Sequence, residues 1–137
     1  MNKALLLSIK PRFADAIFAG EKLFELRKVK PRVVSGDLVL VYVTVPRCRL
    51  EGAFRVSEVL EKSPKDLWPV VKSSCSLTSS EFFAYYEGKE LAYAIGIAEA
   101  WPLANSVALA DLRSEKIIPP QGYRYLTDKE TGSLMGE

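Results

Sequence analysis

The chain contains no histidine, and only two of its 137 residues, Cys48 and Cys75, are cysteine. The first absence removes every catalytic scheme that uses imidazole as the base, including histidine-activated serine and cysteine nucleophiles. The second leaves too few ligands for a structural zinc site, since two cysteines cannot fill four tetrahedral positions. Neither a metal nor a cofactor is expected. The cysteines form no C-x-x-C pair and nothing marks the chain as secreted, so a disulfide is possible but not expected. No hydrophobic run is long enough to cross a membrane as a helix. The apolar run at the start, Ala4 to Ile9, is only six residues long, and Lys10 follows it at once. It lacks a small-residue cleavage site and reads as a buried first strand rather than a signal peptide. A cytoplasmic protein without membrane contact is expected.

What the chain does have is an ordinary globular composition, 48% apolar and 26% charged, and enough length to bury a core without covalent staples. One domain over residues 1–126 is expected, followed by a polar tail, 127–137, read as disordered. Net charge is only +2, yet it is unevenly spread: residues 1–60 hold 11 Lys and Arg against 6 Asp and Glu, residues 61–137 hold 8 against 11. The densest stretch runs from Lys10 to Arg32, with seven cations against three acids. Such a patch suits a phosphate-bearing partner, and it equally suits a solvated face.

Pattern along the chain predicts alternating strands and helices. Pro11 opens a helix carrying Phe13, Ala14, Ile17 and Phe18 at helical spacing, and Gly20 stops it. Residues 22–28 return to strand. A turn ending at Gly36-Asp37 leads to a β-branched strand, Leu38–Val45, and an alternating strand runs from Arg49 to Leu60 with Gly52 as a bulge. Ser63 caps a helix with Pro64 at its first position, and Thr78-Ser79-Ser80-Glu81 forms a capping box for another. That helix carries Phe82, Phe83, Tyr85 and Tyr86. Phe82 and Phe83 read as core, Tyr85 or Tyr86 as the exposed one. Leu91–Trp101 is a strand, Pro102 opens a connection with room for one helical turn, and Tyr123–Leu126 is a short closing strand. Mostly antiparallel strands with helices in the connections predict an α+β fold, a small, partly closed mixed β-barrel.

The stretch Gly20-Glu21-Lys22-Leu23-Phe24-Glu25-Leu26-Arg27 interleaves charge with large apolar residues. Charges against an apolar wall are costly unless paired or ligand-facing. Strand alternation puts Glu25 and Arg27 on one face. Lys22 joins them only if a turn or bulge follows Gly20. Arg27 suits bidentate recognition of phosphate or a base edge, Lys22 suits phosphate, and Glu25 can accept from a base amino group. A salt bridge that only fixes the strand is the competing reading. Lys10 and Ser8, at the end of the first strand, fall near the same place, as do Tyr42 and Thr44 on a central strand. Arg124, between Tyr123 and Tyr125, offers either a basic-aromatic contact or closure of the barrel.

Ser8-Ile9-Lys10-Pro11, a helix, and then Gly20-x-Lys22-x-x-Glu25-x-Arg27 resemble the ASCH (activating signal cointegrator homology) family of the PUA-like superfamily. The likeness continues through Gly36-Asp37, Gly52-x-Phe54-x-Val56 and Tyr93-Ala94-Ile95. Pro119-Pro120-Gln121-Gly122-Tyr123-Arg124-Tyr125-Leu126 is similar to the closing segment of a stand-alone bacterial and archaeal branch. The resemblance covers roughly residues 4–126. It implies a β-barrel with a cleft lined by that motif, and binding of RNA or of a nucleotide or nucleoside, modified bases included. Some members are hydrolases, on acetylated cytidine or on RNA. In the amidohydrolase type a threonine nucleophile stands three residues after the lysine, where this chain has Glu25. The acidic partner of that type would fall near Ser73–Leu77, where this chain has Ser, Cys and Leu.

Three functions are therefore carried forward. The first is an RNA- or nucleotide-binding module with Ser8, Lys10, Lys22, Glu25, Arg27, Tyr42 and Arg124 at the ligand. The second is a nucleoside amidohydrolase or ribonuclease with Lys22 and Glu25 as catalytic groups. The third is a regulatory protein-interaction adaptor. The oligomeric state is left open.

Overall fold

The apolar run at the start folds as strand β1 (Ala4–Ile9), buried on both sides: Leu5, Leu7 and Ile9 enter one core, Leu6 the other. Period-two alternation does the same in β3 (Leu38–Val43), whose Val39, Val41 and Val43 join the first core and Leu38, Leu40 and Tyr42 the second. The two strands pair in parallel, Ser8 opposite Tyr42. The computed structural model describes residues 3–136. The remaining elements are α1 (Pro11–Phe18), β2 (Phe24–Arg27), β4 (Arg49–Lys62), α2 (Pro64–Val71), α3 (Ser79–Tyr85), β5 (Ala92–Ala108), α4 (Leu109–Ser114), β6 (Tyr123–Tyr125) and α5 (Asp128–Leu134).

The strands form one six-stranded sheet in the order β2-β5-β4-β3-β1-β6, antiparallel except for β1 with β3. It curls into a half-barrel, the mixed α+β architecture that the pattern predicts. Helix α1 packs its Ala14 and Ile17 into the first core. Helices α4 and α5 cover the second core with Leu112 and Leu134. A third core gathers Leu67, Val71, Phe82 and Tyr86 of the α2–α3 region against Leu26, Ala92 and Ala94.

Local signals account for most element ends. Gly20 takes φ +78° after α1, a left-handed conformation that suits glycine. The Ser63 hydroxyl accepts from the Asp66 N–H, and the capping box of Thr78 and Glu81 is formed in both directions. At Gly52 the register with both neighbouring strands shifts, and the Phe18 ring takes the space that a Cβ would need. The bulge at this glycine thus also makes room for α1.

Four expectations are corrected. Strand β2 starts at Phe24, because Lys22 still belongs to the turn, its N–H bonded to the Ala16 carbonyl. Strand β5 runs through Pro102 to Ala108: Pro102 faces the bulge at Gly52, where an absent N–H is tolerated. Phe83 is 41% exposed while Tyr86 is buried. The tail from Thr127 is not disordered through Leu134; a second capping box, Thr127 with Glu130, starts α5, and Leu134 is buried in the second core. Among the described residues no helix is long and apolar enough to cross a membrane.

Candidate functional site

Strands β1 and β3 end at the same rim, so Ser8, Ile9 and Lys10 meet Tyr42, Thr44 and Val45 there. Strand β2 is first in the sheet and β1 fifth, but the curl brings them together: Arg27 Nη2 donates to the Ser8 carbonyl at 3.3 Å. Between them opens a cleft of about 820 Å³, closed on its other sides by Arg12 and Phe13 of α1, Glu81 and Tyr85 of α3, and the segment Pro119–Gln121. That volume is in the range of small-molecule sites.

The charged stretch singled out in the sequence forms one wall. Lys22 is 2% exposed and Glu25 6%. Glu25 is shared by two cations, Arg27 Nη2 at 3.1 Å from Oε2 and Lys22 Nζ at 3.8 Å from Oε1. Lys22 Nζ also donates to the Cys75 carbonyl at 2.5 Å and lies 4.9 Å from the centre of the Phe13 ring. Burial pushes the Lys22 ammonium below the usual lysine value; Glu25 and Cys75 pull it back up, and Arg12 and Arg27 add to the lowering. Arg27 keeps unspent donor capacity, since its buried Nε has no partner among the described residues. Glu25 therefore answers both descriptions at once: it is paired, and it lines a cleft.

An outer pair stands at the mouth. Arg12 Nη2 donates to Glu81 Oε2 at 3.0 Å and to the Ser76 carbonyl at 3.2 Å, and its guanidinium lies 4.5 Å from the centre of the Phe13 ring. The Thr78 N–H and Arg12 both hold the Glu81 carboxyl below its ordinary value, the backbone contact leading. Lys10 is exposed and has no carboxylate partner among the described residues. Four cations thus line the cleft (Lys10, Arg12, Lys22, Arg27) against two carboxylates, Glu25 and Glu81. Anion binding is the chemistry that this imbalance favours.

Hydroxyls and rings complete the lining. Ser8 Oγ donates to the Pro120 carbonyl at 2.6 Å, which ties the closing segment to β1. Burial raises the Tyr42 phenol above its usual value, and the Cys48 thiol beside it adds to the effect. Tyr85 donates to the Leu26 carbonyl at 3.3 Å, and its pKa is also raised by burial.

Six of the seven residues expected at a ligand, Ser8, Lys10, Lys22, Glu25, Arg27 and Tyr42, therefore line one cleft. Lys22 and Glu25, named as catalytic groups, sit together in its wall. Arg124 does not line it: on β6, it pairs with Glu130 of α5 at 3.0 Å. In the sequence Arg12 stands out only as part of a basic stretch and Glu81 only as a cap. Each gave a signal, but that they meet is set by the fold, which brings α1 and α3 to the same mouth of the cleft.

A family model described as the ASCH domain matches residues 7–101. The "ASCH domain-containing ribonuclease" of Zymomonas mobilis is 27% identical over 136 residues, covering 98% of this chain and 91% of the relative. The crystal structure of ASCH from Zymomonas mobilis superposes with a TM-score of 0.92 at 26% identity, covering 98% of this chain and 94% of that one. The large ribosomal subunit protein uL22 of Ureaplasma parvum is 29% identical over 126 residues, 91% of this chain, which spans only 40% of that relative's length.

Proposed function

The chain belongs to the ASCH domain family, and on that premise we propose that it binds RNA, with backbone phosphate held in the basic cleft. The observation that carries this reading is the convergence of Lys10, Arg12, Lys22 and Arg27 on one cleft of about 820 Å³ with two carboxylates among the described residues. Arg27 and Lys22 take the phosphate, Lys10 neutralises it from the rim, and Glu25 holds the two inner cations in place. Ser8 and Tyr42 line the same cleft, where their hydroxyls meet the ribose or base. The ring of Tyr85 offers a stacking face. The near full-length likeness to a relative named a ribonuclease supports RNA over a free nucleotide. Arg124 has no part in it.

The test is binding to a labelled single-stranded RNA across a salt series. Affinity is expected to fall with salt, by a slope of about 0.7 per phosphate contact on a log–log plot. Lys10→Gln, an exposed change, is expected to weaken binding and flatten that slope by about 0.7. Affinity that stays level from low to moderate salt would sink the phosphate-led reading.

A second reading, cleavage of the RNA, is favoured by the lowered Lys22 pKa beside Glu25. In its neutral form Lys22 removes the proton of a ribose 2′-hydroxyl, whose oxygen attacks the neighbouring phosphorus. Arg27 balances the charge that develops on the phosphate. The bond from phosphorus to the 5′-oxygen breaks as the new one forms, and the departing oxygen takes a proton from water, so the products carry a 2′,3′-cyclic phosphate and a 5′-hydroxyl. Turnover is expected to be lost in Lys22→Ala, and cleavage that survives this change rules Lys22 out.

A further inference from the structure

The basic lining of the cleft does not stop at its rim. The loop that follows β2 carries Lys28, Lys30 and Arg32, all exposed, and links the cleft to the far edge of the sheet. At one end Lys28 Nζ lies 4.6 Å from the centre of the Tyr85 ring, and Tyr85 lines the cleft. At the other end the Tyr125 hydroxyl of β6 donates to the Arg32 carbonyl at 3.0 Å, which pins the loop to the edge strand. Tyr125 is 38% exposed, its ring centre is 5.7 Å from that of Tyr123, and Lys3 Nζ stands 5.4 Å from it. Of these outer cations only Lys30 is paired with a carboxylate among the described residues, to Glu61 at 3.1 Å.

Cations beside tyrosine rings that keep a face to solvent, half-buried Tyr85 and exposed Tyr125 here, form the kind of surface on which single-stranded nucleic acid lies, phosphates on the cations and bases on the rings. We infer that the strip Lys28–Tyr85, Arg32, Tyr125–Lys3 is a second contact surface for the same RNA. The strand leaves the cleft past Tyr85 and crosses the loop to the β6 edge. This rests on the reading of the cleft as an RNA site and extends it: the ligand is a strand several nucleotides long, and a mononucleotide fills only part of the site. It also gives the aromatic pair around Arg124 a use that the cleft does not.

The experiment compares a trinucleotide with a decanucleotide of the same base, for the wild type and for the triple variant Lys3→Gln/Lys28→Gln/Arg32→Gln. In the wild type the decanucleotide is expected to bind more than about tenfold tighter, beyond the gain from its extra registers, with a salt slope steeper by about 2 for three added single-strand contacts. In the triple variant the two ligands are expected to differ only by the register effect, with trinucleotide affinity unchanged. Equal weakening of both lengths, or a wild type indifferent to length, overturns the strip while leaving the cleft in place. A cleft variant, Lys10→Gln/Arg12→Gln, distinguishes the other failure. If decanucleotide binding survives in it and disappears in the triple variant, the cleft reading is wrong. Thermal unfolding of each variant checks that its fold is intact.

Discussion

Glu25 decides the balance of the cleft wall. It is the carboxylate between two cations that are themselves largely buried, and its loss leaves both without a charged partner among the described residues. Breaking a buried pair from one side costs about 3–5 kcal/mol, far more than an exposed pair is worth. Glu25→Gln, which keeps the shape, is therefore expected to lower the urea midpoint substantially at neutral pH. The pH dependence carries the sign. Lys22 has a folded pKa below its unfolded one, so between the two values the unfolded chain holds more protons and stability rises with pH. Removing Glu25 takes away the charge that pulled this pKa back up, which widens the window. The stability gap between wild type and variant is thus expected to narrow as pH climbs from neutrality toward the unfolded lysine value. A gap constant over that range would show that Lys22 does not feel Glu25. The sequence made this pair legible, because charges interleaved with Leu23, Phe24 and Leu26 have to be satisfied somewhere. It left open whether Lys22 joins them from a turn after Gly20, since that depends on its N–H reaching Ala16 and its ammonium reaching Cys75.

At the scale of elements, the mouth of the cleft is held by one contact between α1 and α3. Arg12 and Glu81 are 58% and 40% exposed as side chains, so their pair is worth little in stability and is easily exchanged for a ligand phosphate. Glu81→Gln keeps the capping box, because a glutamine at this position serves the Thr78 N–H as well. It frees Arg12 and is expected to tighten RNA binding a few-fold, whereas Arg12→Gln weakens it. The two changes together are expected to bind like Arg12→Gln alone. An equal gain from Glu81→Gln in both backgrounds would mean that Glu81 only repels phosphate and does not hold Arg12. The capping box was plain in Thr78-Ser79-Ser80-Glu81, since a cap is a local device. Its second use was not, because Arg12 lies 69 residues away in sequence. Pro102 misled for the same reason: its tolerance in β5 depends on a bulge in another strand, at Gly52.

For the whole molecule, the order β2-β5-β4-β3-β1-β6 is what makes a cleft at all, because the curl carries Arg27 to the Ser8 carbonyl. Single strands were readable from alternation, the partly closed barrel from the order of strands and helices, and the resemblance of motifs implied the cleft. The pairing of β1 with β3 rather than with its sequence neighbour β2 was not readable, as register between distant segments leaves no mark on either alone. The tail shows how far a polar stretch can mislead. Thr127–Glu137 reads as solvated, yet its cap and Leu134 are enough to dock a helix on the second core. Burying one leucine contributes about 1.5–3 kcal/mol, and the Arg124–Glu130 pair is partly buried. Ending the chain after Leu126 is therefore expected to lower stability by about 2–4 kcal/mol on that scale, read as a fall in the urea midpoint. Helix α5 packs on the core that holds Leu6, Leu40 and Leu112, and none of its residues lines the cleft. Trinucleotide affinity, measured at a temperature where the shortened chain is folded, is accordingly expected to match the full chain. An unchanged midpoint would return the tail to the disordered state that its polarity suggests. A lost affinity at full folding would mean that the second core, and not only the rim of β1 and β3, sets the shape of the cleft.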